Sequence, residues 1–439
     1  MKRSLLIFLS TLLIQLTLIG QATKVVSGPM PGHSTMRTVK VWLQTDAAAE
    51  VQIQYWNQSE PVKKWTSAVS RTKKETAFTA LFELDTEPGI TYDYRVILDN
   101  KVYEDFETLN FQSQTLWQYR MEPPSFTFGL GSCAFINEAA YDRPSRPYGG
   151  DYGIFDVIAE ENPDFFLWMG DNIYLREVDY DSRSGIIKRY NHVKQLPDLQ
   201  KLWRSTHHYA IWDDHDFGPN DSDRSYLLKN DALDAFKMFW ANPSYGLTGD
   251  KDGICSSFKW NDCEFFLLDN RYFRSPNRRK NTEHTILGKE QLEWLLDALS
   301  YSKASFKFVV IGGQVVNDAA VYENYANTHT EERDYLLKSI QKEGIKNVVF
   351  LNGDRHHTEL SALQDDKAPI IYDFTVSPLT SGAHDALDEP NSHRIEGTHV
   401  AERNYGLIEV SGTRTARVLK LIIKNKSGDT LWERVINQK

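Results

Sequence analysis

The first part of the chain alternates apolar and polar residues in the two-residue rhythm of half-buried β-strands. The alternation is clearest at Val39–Leu43, Val51–Tyr55 and Tyr92–Val96. Successive side chains of a strand point to opposite faces, so this rhythm directs one face toward a core and the other toward solvent. Short strands separated by turn residues predict a β-sandwich over residues 24–108.

One segment of this region resembles a known type of module. Gly89–Val96 is similar to the late strand of fibronectin type III domains, where a tyrosine stands near a sheet corner. The resemblance implies a small fibronectin-III-like domain, which usually serves as a spacer or docking surface. A polar stretch dotted with aromatic residues follows and runs through Pro123-Pro124, so residues 109–124 are predicted to form a linker.

From residue 125 to 439 the pattern changes to continuous apolar runs separated by segments of helical periodicity. Such runs predict strands buried on both faces, and their alternation with helices indicates an α/β domain. The predicted buried strands are Phe126–Leu130, Phe165–Met169, Tyr209–Trp212, Phe265–Leu268, Phe306–Ile311 and Val348–Leu351. The predicted helices are Asp151–Glu161 and Lys289–Leu299. A closing antiparallel meander is predicted at Gly406–Val410, Arg417–Ile423 and Leu431–Ile436.

The first 22 residues have the features of an export signal. Lys2 and Arg3 precede the apolar stretch Leu5–Ile19, and Gly20-Gln21-Ala22 gives a small-x-small cleavage pattern. An uncleaved membrane span is the alternative, but a span needs about 20 apolar residues and no cleavage site. Lys2-Arg3 is not a clear twin-arginine signal, so the general secretory route is expected. We predict removal of residues 1–22, which leaves a periplasmic or secreted protein without a transmembrane anchor.

The charge balance and the cysteine count limit the possible partners and cross-links. With 60 acidic against 50 basic residues, the formal net charge is -10. This excess of negative charge predicts no nucleic-acid-binding module, and any anionic substrate must be attracted locally. Three cysteines leave at least one unpaired. Cys255 and Cys263 flank a predicted hairpin, and the sequence leaves two alternatives for them, a disulfide or two free thiols.

Residues with metal-binding and catalytic chemistry follow the ends of predicted strands. These segments are Gly131-Ser132-Cys133, Gly170-Asp171-Asn172-Ile173-Tyr174, Asp213-Asp214-His215-Asp216, Asp269-Asn270-Arg271 and Asn352-Gly353-Asp354-Arg355-His356-His357. Ligands of open α/β sheets bind beyond the carboxyl ends of the strands, so these side chains are expected at one rim. Like charges about 4 Å apart repel by roughly 4 kcal/mol at an effective dielectric near 20, which predicts that bound cations neutralise them. Two metal ions about 3.5–4 Å apart are a common arrangement for attack on phosphorus.

The same segments, together with Ser377-Pro378, resemble the motifs of the PhoD-like alkaline phosphatase/phosphodiesterase family of metallophosphatases, in that family's order. The resemblance extends from about residue 126 to the C-terminus. It implies a metallophosphatase-type α/β sandwich, preceded by the smaller N-terminal sandwich. It implies ferric iron and calcium as cofactors, although the donor types leave zinc or manganese open. The implied metal ligands are Asp171 as the bridge, Cys133 and Tyr174 to the ferric ion, and Asp214, Asp354 and His356 to complete the cluster.

Other residues of these segments are candidates for catalysis and substrate binding. By analogy with metallophosphatases, His215 is expected to protonate the leaving oxygen or to stabilise charge in the transition state. Arg355 and Arg271 are expected to hold phosphate oxygens, because a guanidinium group matches them with two parallel hydrogen bonds. Asn270, which precedes Arg271, is a further substrate-binding candidate.

Simpler structural explanations exist for several of these residues. Asp171 could lie in an ordinary turn after a strand, and the acids at 213–216 could only begin a helix. A buried cysteine such as Cys133 is usually inert. His357 could replace His356 as the ligand, although the motif favours His356.

We predict an exported, metal-dependent phosphoesterase that hydrolyses phosphodiesters, phosphomonoesters or both by attack of metal-activated hydroxide on phosphorus. The predicted partner is a phosphate-ester substrate, and no oligomeric state is predicted. One alternative is a purple-acid-type phosphomonoesterase, supported by Tyr174 three residues after Asp171. It is weakened by Cys133, which stands where that family has an Asp-x-His or Asp-x-Gly element. A second alternative is a non-catalytic surface binding protein, against which the complete set of ligand motifs argues.

Overall fold

The computed structural model describes residues 22–106, 109–144, 147–247, 252–322 and 324–439. The predicted signal peptide lies outside these ranges except for Ala22. Within the described ranges, no helix has both the length and the apolar character needed to cross a bilayer.

An N-terminal β-sandwich is built from two sheets that share one apolar core. Its strands are β1 (Val25–Ser34), β2 (Thr38–Thr45), β3 (Glu50–Asn57), β4 (Lys64–Thr66), β5 (Ser70–Arg71), β6 (Thr79–Asp85), β7 (Thr91–Leu98), β8 (Lys101–Val102) and β9 (Leu109–Gln112). One sheet has the order β1-β2-β6; the other has the order β4-β3-β7-β8, with β5 beside β3 and β9 beside β7. Val41, Ile53 and Tyr94 lie in the shared core. The alternating apolar and polar residues of these strands therefore point alternately into this core and toward the outer faces of the sheets.

Strand β9 corrects the start of the predicted linker at 109–124. Leu109 pairs with Tyr94 of β7, and Phe111 pairs with Tyr92. Both Leu109 and Phe111 are buried, so this short strand completes the N-terminal sheet. The connection to the next domain begins after Gln112, because two alternating apolar residues are too few to predict a strand from sequence.

Two further sheets pack face to face and form the rest of the protein. Their strands are β10 (Phe126–Gly131), β11 (Phe165–Met169), β12 (His207–Ile211), β13 (Ser256–Trp260), β14 (Cys263–Leu267), β15 (Lys307–Val310), β16 (Val348–Asn352), β17 (Glu359–Asp365), β18 (Ala368–Thr375), β19 (Asn404–Thr413), β20 (Ala416–Asn425) and β21 (Thr430–Asn437). The first sheet has the order β12-β11-β10-β19-β20-β21, and the second has the order β13-β14-β15-β16-β18-β17. Strands β10, β11 and β12 are parallel, as are β14, β15, β16 and β18, so the carboxyl ends of each group share an edge.

The core between the two large sheets is rich in phenylalanine. Phe128 and Phe165 stack with ring centroids 4.9 Å apart, and Phe265 meets both rings edge-on at 5.3 Å. Phe266, the next residue of β14, lies instead in a second core on the outer face of its sheet. Burial on both faces explains the continuous apolar runs, since no position of such a strand meets solvent.

Helices cover the outer faces of both large sheets. They are α1 (Ile154–Glu160), α2 (Arg183–Lys194), α3 (Gln200–Ser205), α4 (Asp214–Phe217), α5 (Lys229–Phe239), α6 (Lys289–Tyr301), α7 (Tyr325–Thr328) and α8 (Thr330–Lys342). Leu295 of α6 and Leu336 of α8 lie in the outer core of the second sheet, while Phe155 of α1 and Phe236 of α5 belong to the larger core of the first. The predicted α/β sandwich is confirmed as a helix–sheet–sheet–helix arrangement.

The structure corrects some predicted elements and adds others. The helix predicted at Asp151–Glu161 begins at Ile154, because Asp151 has a left-handed backbone with φ of 57°. Strands β17 and β18 were not predicted. In β17 the polar residues Glu359 and Ser361 are buried, so polarity no longer marks the exposed face. The closing meander is confirmed, since β19, β20 and β21 pair antiparallel.

The cysteines Cys133, Cys255 and Cys263 are free and buried. Ser256, next to Cys255, pairs with Leu267, whereas Cys263 pairs with Trp260. The two cysteines therefore lie at opposite ends of the β13–β14 hairpin, which decides the open alternative in favour of free thiols.

The phenylalanine core provides a test of the packing. Phe165 is fully buried and contacts Phe128, Phe265 and Trp260. We expect Phe165→Ala to lower the free energy of unfolding by about 3–5 kcal/mol, because the vacated volume cannot be refilled. Tyr301→Ala, at a ring that is 86% exposed, should leave it almost unchanged. Urea denaturation followed by circular dichroism measures both, and equal losses would contradict the packing described.

Candidate metal centre

The candidate residues lie just beyond the carboxyl ends of parallel strands from both large sheets. Cys133 stands two residues after β10, Asp171 two residues after β11, and Asp214 three residues after β12. The second sheet contributes Asp354, two residues after β16. Because the sheets pack face to face, loops from both reach the same rim, as the spacing in the sequence predicts.

Backbone conformation at these positions is unusual for residues other than glycine. A positive φ forces Cβ against the backbone, and such residues cluster at functional sites where the surroundings hold them in place. Four of the predicted ligands have this conformation: Cys133 (φ 59°), Asp171 (φ 53°), Asp354 (φ 63°) and His356 (φ 55°). The strain supports a role beyond packing for these four residues.

One group of donors gathers a thiol, a carboxylate and an imidazole. Ligand atoms of Cys133, Asp171 and His356 all lie within 4.8 Å of one another. The Tyr174 hydroxyl donates to Asp171 Oδ2 at 3.1 Å and lies 3.2 Å from His356 Nε2. Cys133 Sγ is 3.6 Å from the same Asp171 oxygen. Four of the predicted ligands therefore meet at one point.

A second group of donors consists of carboxylates. Oxygens of Asp213, Asp214 and Asp354 lie within 4.8 Å of one another. A further group joins Asp171, Asp214 and His215 at the same spacing. Asp171 and Asp214 thus connect the thiol-containing group to the carboxylate group. The two donor groups therefore adjoin each other through Asp171 and Asp214.

Burial and like charges make the carboxylate cluster difficult to keep ionised. Burial raises the pKa of Asp171 well above its usual value, and the neighbouring Asp214 and Asp213 raise it further. Burial likewise raises the pKa of the Cys133 thiol and of the Tyr174 phenol. Cations held by these groups would replace the protons and remove the repulsion. The donor set fits metal ions on this ground.

Two groups beside Asp171 have lowered pKa values. Burial alone would raise the pKa of Asp214, but the charges of His215 and Arg271 outweigh it and lower the pKa to about 2. Burial and the neighbouring His215 lower the pKa of His356 to about 4, so its imidazole is neutral at pH 7. A neutral imidazole is the form that binds metals. Its other nitrogen, Nδ1, lies 2.8 Å from the Tyr148 hydroxyl, which orients the ring.

His215 packs beside the cluster. Its ring lies on Tyr174 with centroids 4.2 Å apart, and its backbone N–H donates to Asp171 Oδ1 at 3.4 Å. His215, Asp354 and His356 are partly exposed, whereas Cys133, Asp171 and Asp214 are buried. The partly exposed residues mark the solvent-facing part of the cluster.

The two predicted phosphate-binding arginines already have carboxylate partners. Arg271 is 1% exposed and donates to Asp213, with Asp214 at 3.6 Å. Arg355 pairs with both oxygens of Glu389, at 2.8 and 2.7 Å. Contact with phosphate would require either guanidinium to leave its partner. The geometry of Arg271 instead fits a role in holding Asp213, and its phosphate contact stays a prediction.

Asn270 also faces Asp213 rather than open solvent. Its Nδ2 donates to Asp213 Oδ1 at 2.7 Å, and the residue is 2% exposed. A Cβ on Gly312 would lie 2.3 Å from that nitrogen, so only glycine permits this approach. Asn270 and Arg271 line, with Asp354, a cavity of about 10 Å³. This is the size of one water molecule and is too small for phosphate.

Comparison with known proteins agrees with the fold. The profile of the PhoD-like phosphatases matches residues 128–415. The chain belongs to the PhoD-like phosphatase family. It is accordingly a hydrolase of phosphate ester bonds. A second profile, a domain of unknown function (DUF7800), matches residues 22–115, which contain the N-terminal sandwich.

Individual relatives have low sequence identity to this chain but a similar fold. Alkaline phosphatase D of Bacillus subtilis (strain 168) is 24% identical over 415 residues, covering 78% of this chain and 67% of the relative. The solved structure of PhoD has a TM-score of 0.74 at 18% identity and covers 93% of this chain and 90% of that one. A purple acid phosphatase from yellow lupin (Lupinus luteus) seeds has a TM-score of 0.69 at 12% identity, covering 94% and 74%. The two structures show a shared fold.

Some residues in or beside the candidate metal centre were not predicted from the sequence. Asp213 stands in the acidic run at 213–216 but was not predicted as a ligand, although it joins the carboxylate group. The run itself was the available signal. Tyr148 and Glu389 lie in irregular segments, and no periodicity or motif marks them. Only the folded chain brings Tyr148 to His356 and Glu389 to Arg355.

The buried Arg271–Asp213 pair provides a test. Arg271→Gln leaves the Asp213 carboxylate buried without its ionic partner, and we expect a loss of about 3–5 kcal/mol in the unfolding free energy of chelator-treated protein. Urea denaturation measures this loss. Arg37→Gln is the matched control, because Arg37 and Glu87 are 70% and 71% exposed and their pair should contribute little. A loss at Arg271 no larger than the control would refute the structural role.

Proposed function

We propose that this protein is an exported, metal-dependent phosphoesterase that uses ferric iron and calcium. The observation that carries the proposal is the pair of adjoining donor groups connected by Asp171. Family membership already makes the chain a phosphate-ester hydrolase. The proposal adds metal dependence, the identity of the ions, export, and the hydrolysis of phosphodiesters, phosphomonoesters or both.

The donor chemistry assigns one cation to each group. Cys133, Tyr174 and His356 offer thiolate, phenolate and imidazole, which suit a ferric ion, while zinc is the main competitor for such a set. Asp214 and Asp354 offer hard carboxylate oxygens, which suit calcium. Asp171 would contribute to both. Bound cations would supply an activated nucleophile and neutralise charge on the phosphoryl oxygens.

The protein's own residues would orient the ester and move the proton. His215 would donate a proton to the leaving oxygen; its partial exposure and its contact with the Tyr174 ring support this role. Arg355 would bind phosphoryl oxygens after leaving Glu389, because a guanidinium can form two parallel charge-assisted hydrogen bonds with them. Arg271 and Asn270 would hold Asp213 in place, and through it the neighbouring carboxylates.

Diester hydrolysis is the proposed activity because the rim offers surface for a second ester group. Tyr148 is 44% exposed above His356, and Tyr322 is 68% exposed beside Arg355, whose guanidinium lies 5.1 Å from the Tyr322 ring. Flat aromatic surfaces of this kind can pack against the part of a diester that a monoester lacks. Export is supported by the charged, apolar and small-residue pattern of residues 1–22. The intact mass of protein recovered outside the cytoplasm tests the cut after Ala22.

A purple-acid-type phosphomonoesterase is the second candidate, favoured by the fold of the lupin enzyme and by Tyr174. The thiol of Cys133 in the donor cluster argues against this second candidate, because purple acid phosphatases are expected to have an Asp-x-His or Asp-x-Gly element at that place. The ratio of diester to monoester hydrolysis distinguishes them in solution.

The first test measures activity. We expect Asp171→Asn to lower kcat/KM for mono- and bis-nitrophenyl phosphate at least about a hundredfold, because removal of a shared ligand forfeits several kcal/mol of charge stabilisation. Chelator should abolish wild-type turnover, and calcium should restore it. Asp429→Asn, in the exposed β20–β21 turn, is the control and should match the wild type. Absence of turnover on both esters by folded, metal-replete wild type would overturn the proposal.

The second test addresses the identity of the metal. A phenolate or thiolate bound to ferric iron absorbs visible light, so the iron-loaded protein should be coloured. Tyr174→Phe should shift or weaken the band, Cys133→Ser should alter it differently, and Tyr301→Phe should leave it unchanged. Elemental analysis should find iron and calcium in comparable amounts. A colourless active protein with stoichiometric zinc would refute the iron assignment.

A further inference from the structure

A second cluster of metal-binding side chains lies outside the centre described above. Its members are His357, next to His356 in sequence, Glu359 at the start of β17, and His399 in the long irregular segment before β19. One ligand atom from each lies within 4.8 Å of the others. His357 and Glu359 are fully buried, and the His399 side chain is 10% exposed.

The hydrogen bonds of the two histidines determine which nitrogen carries the proton. His357 Nδ1 lies 3.0 Å from the carbonyl oxygen of Arg355, which can only accept, so Nδ1 is the protonated nitrogen. His399 Nε2 lies 2.9 Å from Asp385 Oδ1 and donates to that carboxylate. The remaining ring nitrogens, His357 Nε2 and His399 Nδ1, are therefore the ones that each ring offers as a metal ligand.

These two nitrogens face the cluster without a hydrogen-bond partner. Both His357 Nε2 and His399 Nδ1 are buried and lack any donor among the described residues. The ring centroids are 5.3 Å apart, and His357 Nε2 is 3.7 Å from Glu359 Oε2, which is beyond hydrogen-bond distance. Three electron-rich atoms that converge in a buried space are unfavourable unless a positive charge joins them.

Neighbouring groups hold each of these three side chains in place. Asp385 and the Arg355 carbonyl orient the two rings, an arrangement that commonly supports metal-bound histidines. Glu359 Oε2 accepts from Arg394 at 2.5 Å. Its other oxygen accepts from the amides of Gln314, Asn391 and Asn317 at 2.8, 2.9 and 3.2 Å. Arg394 offsets the carboxylate charge in part, and Oε2 lies 3.7 Å from His357 Nε2.

We propose that His357, Glu359 and His399 form an additional binding site for a zinc-class divalent cation. Two imidazoles and one carboxylate are a donor set for zinc rather than for calcium. Bonds of 2.0–2.1 Å to a tetrahedral ion separate the ligand atoms by about 3.4 Å, so the 3.7 Å spacing needs only a small contraction. The site does not depend on the iron and calcium assignments of the principal centre.

The ion would fasten the long segment between β18 and β19 to the second sheet. That segment already pairs with the sheet at isolated bridges, Thr358 with Val400 and Ser361 with Arg394. It also carries Glu389, the partner of Arg355. A cation shared by His399 and Glu359 would add a further connection to these bridges and to the contacts of Arg394 and Asn391 with Glu359.

Zinc titration of the chelator-treated mature protein tests the site. Isothermal calorimetry should show one zinc equivalent fewer for His399→Ala than for the wild type. Asp171→Asn, which alters the principal centre, should keep this equivalent. His393→Ala is the matched control, because His393 lies in the same segment and faces Asp318 at 3.9 Å. Equal zinc stoichiometry in His399→Ala and the wild type would overturn the site.

A crystallographic measurement covers the case in which His399→Ala fails to fold. Wild-type crystals soaked in zinc should show an anomalous peak at the zinc edge between His357 Nε2, His399 Nδ1 and Glu359 Oε2. A peak there supports the site whatever the fate of the principal centre. Zinc peaks at Asp171 with none at the three-residue cluster would refute it, and would leave the proposed phosphoesterase function intact.

Discussion

Repulsion among buried carboxylates at the shared strand edge is the constraint on which the rest of the structure depends. Asp171, Asp213 and Asp214 are buried, so solvent screens their charges poorly, and the partly exposed Asp354 lies beside Asp213 and Asp214. Arg271 pairs with Asp213 and lies 3.6 Å from Asp214, so it offsets part of this charge, and bound cations would offset the rest. Repulsion among these carboxylates raises the free energy of the metal-free site. A bound cation would relieve that repulsion, and the relief would strengthen its binding.

The face-to-face sheets explain why this much charge can be gathered at all. Neither sheet alone supplies the centre, since Cys133 and Asp171 follow strands of the first and Asp354 follows a strand of the second. The aromatic core around Phe128 sets the spacing between the sheets. A closely packed interior fixes the positions of the loops that follow its strands. The surrounding structure can therefore hold the residues with positive φ in a backbone conformation that they would otherwise disfavour.

The sequence predicted the parts of the site that depend on local pattern. Continuous apolar runs marked buried strands, and the chemistry after each run marked Asp171, Tyr174 and His356, which the structure brings together. It could not predict partners that meet only through long-range folding. Arg355 looked like a free phosphate ligand because Glu389, 34 residues later, bears no recognisable pattern. Strand β17 was missed for a related reason, since its buried Glu359 is stabilised by Arg394 and by amides from distant segments.

The loop after β16 shows how one short segment serves several purposes. Asp354 and His356 both have positive φ, so consecutive side chains leave the backbone in different directions rather than alternating as in a strand. Asp354 joins the carboxylates, Arg355 reaches Glu389, His356 meets Tyr174, and His357 joins Glu359 and His399. The choice between adjacent histidines, which the sequence left to a motif, follows from this geometry. His356 lies with Cys133 and Asp171, whereas the turn directs His357 into a separate buried cluster, and this geometry favours His356 as the ligand of the strand-end centre.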